Sequence, residues 1–138
     1  MARLRIDQET LSLTKVLENL SGARVKDCFQ SDELIYFIVA KGDLGKAIGK
    51  NGDTVKLIKQ KVNKNIKIIE FDEEETLFVK RMVDPIQIEN IQKEGNTIFI
   101  RDNNKKTKSL LIGRGGRKLQ VLNRALQRVF PGIGIVIE

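Results

Sequence analysis

The sequence, 138 residues long, has no histidine, no tryptophan, one tyrosine and one cysteine. Without histidine it lacks the commonest general base near neutral pH and the usual ligand of metal sites. Cys28 has no second cysteine to pair with and lies in an alternating, strand-like run with no ligand set around it. It reads as a small core or edge residue, and no zinc site is expected. Aromatic residues make up 5% of the chain, and no Arg/Lys-Gly-Phe/Tyr run lies on a strand, which argues against a sheet on which bases stack. No apolar run is long enough to span a bilayer. Met1-Ala2-Arg3-Leu4 leads into a polar, acidic helix instead of the apolar core of a signal peptide, so a cytoplasmic protein without membrane contact is expected.

The glycine loops of nucleotide enzymes are missing as well. No glycine pair has P-loop spacing followed by Lys-Ser/Thr, and a dinucleotide fingerprint starting at Gly113 and Gly115 would need a third glycine where Lys118 stands. The one dense acidic cluster, Asp72-Glu73-Glu74-Glu75, has the spacing of a helix N-cap and its reaching-back acid, a better explanation than a metal site because neighbouring side chains diverge around a helix. No catalytic constellation is visible. The sequence points to a binding protein, not an enzyme, with no cofactor, metal or small-molecule substrate.

What is present is basic charge and a repeat. The formal net charge is +7, with a pI near 9.6, so an anionic partner is expected. Residues 41–67 hold eight lysines against two aspartates, and residues 101–128 hold nine lysines and arginines against one aspartate. Lys59, Lys61 and Lys64 read as a solvated helix face, Lys50 and Arg114 less so.

Each basic window is centred on the same frame, Ile48-Gly49-Lys50-Asn51-Gly52 and Ile112-Gly113-Arg114-Gly115-Gly116. The shift that carries Gly49 onto Gly113 also carries Val55, Ile58 and Val62 onto Leu119, Leu122 and Leu126, a helical apolar stripe in both copies. Further on, Ile66, Ile68 and Ile69 correspond to Ile133, Ile135 and Val136 once the second copy gains three residues, through a longer helix and the Phe130-Pro131-Gly132 turn. The repeated unit is loop, helix, strand. Gly42-Asp43-Leu44-Gly45 also fits a bare G-x-x-G, but Lys106 and Ser109 give it no counterpart, so that match is accidental.

Upstream, Leu13, Val16, Leu17 and Leu20 predict a helix with Asp7 or Thr10 as cap and Ser21-Gly22 as stop. Strands are expected at 23–29 and 34–40 around a Gln30-Ser31-Asp32 turn. A short helix at 42–48, a helix from Asn51 or Gly52 to about Asn63 and a strand at 66–71 complete the first copy. The second copy repeats this order. Its first helix carries Leu77, Phe78, Met82 and Val83 and ends at Pro85. A strand begins with Ile86, Ile88 and Ile91, the hairpin turns at 93–96, the return strand spans 97–101, and a short helix spans 107–112.

Between two helices, glycines let a sugar-phosphate backbone approach main-chain amides at a helix N-terminus, and Lys50 and Arg114 add charge. The competing reading is a tight interhelical turn; occurrence in two matched contexts favours a clamp. The stripe residues read as core, whereas Ile48 and Ile112 divide evenly between core and a base-lining surface.

With these frames the chain resembles a tandem pair of type II KH domains, α-β-β-α-α-β each, at 1–71 and 72–138. The expected fold is α+β, with the two domains packed as one rigid unit. The stretch Glu75-Thr76-Leu77-Phe78-Val79-Lys80-Arg81-Met82-Val83-Asp84-Pro85 resembles the connector of NusA-type transcription factors. The polymerase-binding and S1 domains of the bacterial members do not fit within the chain, and the resemblance is to the short archaeal NusA-like factors of transcription termination or elongation. It implies binding of single-stranded RNA by Lys46, Ile48, Gly49, Lys50, Asn51, Gly52 and Lys56 in the first copy and by Lys108, Ile112, Gly113, Arg114, Gly115, Gly116, Arg117 and Lys118 in the second. RNA polymerase or the transcription elongation complex is the implied protein partner. The alternative is a ribosome-associated or ribosome-assembly KH protein that binds ribosomal RNA.

Overall fold

A computed structural model of the protein describes residues 8–31 and 34–138. The chain divides into two compact units, Met1–Phe71 and Asp72–Glu138, and each is α+β. The first contains α1 (Gln8–Ser21), β1 (Val25–Ser31), β2 (Leu34–Val39), α2 (Leu44–Ile48), α3 (Asp53–Val62) and β3 (Asn65–Glu70). The second contains α4 (Glu75–Val83), β4 (Asn90–Glu94), β5 (Thr97–Arg101), α5 (Lys105–Ile112), α6 (Arg117–Val129) and β6 (Gly134–Ile137). Both follow the order α-β-β-α-α-β, and a single 3-10 turn, Lys50–Gly52 or Arg114–Gly116, joins the last two helices of each.

The sheets have the same topology, β1-β2-β3 and β4-β5-β6. A hairpin makes the first pair antiparallel, and the return through two helices makes the second pair parallel. β2 is the central strand of its sheet, and Ile35 to Val39 are all buried, which is why it reads as an unbroken apolar run. Against it pack Leu13 and Leu17 of α1, Ala47 of α2 and Ile58 of α3. In the second unit Phe78, Val79, Met82 and Val83 of α4 are buried, as are Ile98, Ile100, Leu111, Leu122, Ala125, Leu126 and Ile135. The Phe130 ring meets Phe78 edge-on at 5.7 Å. Asn123 ties α6 to the outer strand: its Oδ1 accepts the Ile135 N–H at 2.7 Å, and its Nδ2 donates to the carbonyls of Leu119 and Ile135.

Several local expectations hold. Gly22, at φ 76°, ends α1 and donates its N–H to the Glu18 carbonyl at 2.8 Å. Of the expected turn at 93–96, Gly95 and Asn96 turn the second hairpin while Lys93 and Glu94 pair with Ile98 and Thr97 in β4, and Asp84 leaves the helical region at ψ 136° ahead of Pro85. Cys28 is buried. Of the helix stripes, Ile58, Leu122 and Leu126 are buried and Val55, Val62 and Leu119 half-buried.

Others are corrected. Leu20 is 50% exposed, because the buried face of α1 runs through Leu13 and Leu17. Thr10 is not a cap but lies inside α1, its carbonyl accepting the Thr14 hydroxyl; Asp7 lies outside the described residues. Gln30 and Ser31 continue β1, opposite Ile35 and Leu34, instead of turning, and Asp32 lies outside the described residues. Ile86 and Ile88 precede β4. Asp72 and Glu75 form no capping box: the buried Asp72 carboxylate accepts the Glu74 N–H at 2.9 Å and Arg81 at 3.1 Å, while Glu75 pairs with Lys93 at 3.0 Å. α5 begins at Lys105, earlier than its apolar pattern suggests, because Asn104 Oδ1 accepts the N–H groups of Lys106 and Thr107. Among the described residues, no helix is long and apolar enough to cross a membrane.

Leu122→Ala should therefore lower the unfolding free energy by about 2–5 kcal/mol, the usual range for a buried leucine, whereas Leu20→Ala should stay within about 0.5 kcal/mol, as at an ordinary surface site. Chemical denaturation of both variants checks the pair.

Candidate functional site

The two glycine loops share one backbone path. In the first, α2 stops where the Gly49 N–H meets the Gly45 carbonyl at 3.0 Å. The chain then passes through Gly49 (φ 81°, ψ 169°), Asn51 (54°, 26°) and Gly52 (73°, 17°) into α3. In the second, the Gly113 N–H meets the Ser109 carbonyl at 2.8 Å, and the path runs through Gly113 (74°, 175°), Gly115 (63°, 20°) and Gly116 (78°, 9°) into α6. Asn51 and Gly115 differ chemically but answer the same demand, since asparagine is among the few side chains that tolerate a left-handed backbone.

The glycines of each frame are needed for different reasons. A Cβ on Gly49 would lie 2.9 Å from the backbone nitrogen of Thr54, and one on Gly113 the same distance from that of Lys118, so the first glycine is a packing requirement. A Cβ on Gly52 or Gly116 would have no neighbour within 4 Å, and there only the positive φ requires glycine. Glycine also occupies the N-cap position of α3 and α6, so no cap side chain takes their first-turn amides. The first amide of each helix, that of Asp53 or Arg117, donates to the carbonyl of Lys50 or Arg114, and the amides that follow have no cap side chain.

Around the first loop Lys46, Lys50, Asn51 and Lys56 are exposed; around the second Arg114, Gly115 and Arg117 are exposed, with Lys108 and Lys118 half-buried. The even division over Ile48 and Ile112 resolves toward the surface, at 38% and 36% exposure. The four frame glycines that flank the turns are half-buried. The first turns of the following helices differ in charge: α3 opens with Asp53-Thr54, α6 with Arg117-Lys118. Gly45 lies inside α2, so the bare pattern that starts at Gly42 makes no loop of this kind.

Sequence reasoning missed a pair of buried aspartates that hold the loop elements. Asp43, just ahead of α2, accepts the backbone N–H of Arg24 at 2.8 Å and its Nε at 3.1 Å; Arg24 directly precedes β1. Asp102, ahead of α5, accepts the N–H of Glu89, directly before β4, at 3.0 Å and that of Asn104 at 2.8 Å. The hydrogen bonds from the Arg24 backbone and side chain hold the Asp43 carboxyl below its ordinary pKa. α5 has eight residues and α2 five, so a shift anchored on the glycines does not align the two aspartates. Their common signal is an aspartate ahead of the first helix of each loop element.

No protein-family model matches the chain. It is similar to the probable transcription termination protein NusA of Methanocaldococcus jannaschii, 31% identical over 132 residues that cover 93% of this chain and 72% of that protein. The protein of the same name from Methanococcus vannielii is 36% identical over 100 residues, covering 71% of this chain and 58% of its own length. That from Halococcus morrhuae is 26% identical over 130 residues, covering 93% and 94%. Among solved structures, the crystal structure of APE1850 matches with a TM-score of 0.74 and 26% identity, over 96% of this chain and 100% of that one.

Two outcomes follow from the loop geometry. Gly116→Ala should cost about 1–2 kcal/mol, the strain of a left-handed non-glycine residue, and Gly113→Ala more, because its methyl also meets Lys118; thermal unfolding of both variants ranks them. The Asp43 carboxyl, depressed in the folded state, contributes stability that is present above the ordinary aspartate value of 3.8 and lost as pH falls through the lower folded value. Wild type should therefore lose melting temperature more steeply than Asp43→Asn over that acid window.

Proposed function

Because this chain belongs to the family of archaeal proteins named probable transcription termination protein NusA, we propose that it acts in transcription termination or elongation by gripping single-stranded RNA. Each unit reads as a type II KH domain, on the strength of its α-β-β-α-α-β order and of a G-x-x-G turn between its last two helices. The observation that carries the reading is the near-identical backbone of the two loops, each opening into a helix whose N-cap is glycine. Such a surface suits a phosphate, which the first-turn amides would meet while Lys50 or Arg114 neutralises its charge. Lys46, Lys56, Lys108, Arg117 and Lys118 extend the basic track, and Ile48 and Ile112 offer apolar contact to bases.

Two weak clamps on one chain raise each other's effective concentration, so on an RNA long enough for both, loss of either should cost far more than half the affinity. RNA polymerase or the elongation complex is the protein partner that accords with the relatives' name; the ribosome-assembly alternative gains nothing from it.

Fluorescence anisotropy with a single-stranded RNA of about a dozen nucleotides, enough for two clamps of about four, tests the reading. Affinity should fall with salt at roughly −0.7 log units per log unit of salt for each phosphate contact, duplex RNA should bind more weakly, and Lys50→Asp and Arg114→Asp should each weaken binding. Equal binding to duplex, with indifference to both substitutions, would reject the clamp.

A further inference from the structure

We infer that the two clamps are unequal: the second loop is the primary phosphate site, and Asp53 is the residue that weakens the first. This rests on the RNA-binding reading above. Because the loops share one backbone path and each following helix has glycine at its N-cap, their amides offer an anion the same geometry. The difference must come from side chains.

In the first unit the opening residue of α3 is Asp53, an exposed carboxylate at the positive end of the helix. It satisfies the helix dipole from within the chain and repels a phosphate approaching the same amides. Lys56 stands three residues on, at the spacing of a helix-surface neighbour of Asp53. Thr54, packed against Gly49, is buried and brings no charge.

In the second unit the neutral Gln120 stands where Lys56 does, but the charges nearest the loop change in the phosphate's favour. Arg117 opens α6 where Asp53 opens α3. Lys118 takes the place of Thr54, its Cβ packed against Gly113, and adds a positive charge where Thr54 has none. Arg114 replaces Lys50 and presents a planar fork that matches two phosphate oxygens. An RNA should engage the second loop first, and the first loop should close on it only through the tether.

The test is anisotropy of a single-stranded tetranucleotide RNA, long enough for about one clamp, on the full chain. Arg114→Asp and Arg117→Asp should each cost about tenfold or more, the size of one charge-assisted contact, and Lys50→Asp less than about twofold. Asp53→Arg should tighten binding about tenfold, a gain that misfolding cannot mimic. If Lys50→Asp costs as much as Arg114→Asp and Asp53→Arg gains nothing, the clamps are equal and this inference fails while the RNA reading stands. Tetranucleotide and dodecamer binding that ignores every loop substitution would remove both.

Discussion

Each loop depends on one close approach, that of its first glycine to the main chain at the start of the next helix. Gly49 against Thr54 and Gly113 against Lys118 leave no room for a Cβ, and this contact sets how sharply α2 turns into α3 and α5 into α6. A sharp turn keeps the loop thin and leaves the first-turn amides without a capping side chain. Since the backbone path is fixed by glycine conformation and packing, charges on the loop can change without moving it. Lys50 and Arg114, or Asp53 and Arg117, are exchanged on what is otherwise one scaffold.

That scaffold is held from behind. Asp43 and Asp102 are buried, and each binds the backbone N–H of the residue before the first strand of its sheet. A carboxylate is costly to bury unless its oxygens are satisfied, and each here accepts two hydrogen bonds. The start of the loop element is thus tied to the sheet, while Ala47 and Leu111 anchor its helix in the core. The exposed loop stands on a rigid base.

Much of this was legible in the chain. The glycine frames stand out because they repeat, and the stripes through Ile58 and Leu122 stand out because helical periodicity survives in both copies. β2 was visible as an apolar run because both of its faces are buried. What escaped has physical causes. Periodicity shows that Leu20 lies near an apolar face, not that the face ends before it. Asp72 and Glu75 have capping-box spacing, but a spacing does not reveal that Arg81 and Lys93 are closer partners. Ile48 and Ile112 were ambiguous because an isoleucine beside a tight turn satisfies either environment. The Asp43 and Asp102 ties were hidden by the extra length of α5.

Asn123 bears on a different problem, that of assembly. A chain that carries the same fold twice makes outer strands that are nearly interchangeable, and exchange between copies is a characteristic misfolding route of repeated sequences. Asn123 recognises β6 by both the N–H and the carbonyl of Ile135, whereas the glycine-anchored shift puts Lys59, an exposed residue, at the matching place in α3. The second copy therefore fastens its outer strand to its helix by a polar tie that Lys59 does not provide in the first, so β6 is held by more than its ladder to β5.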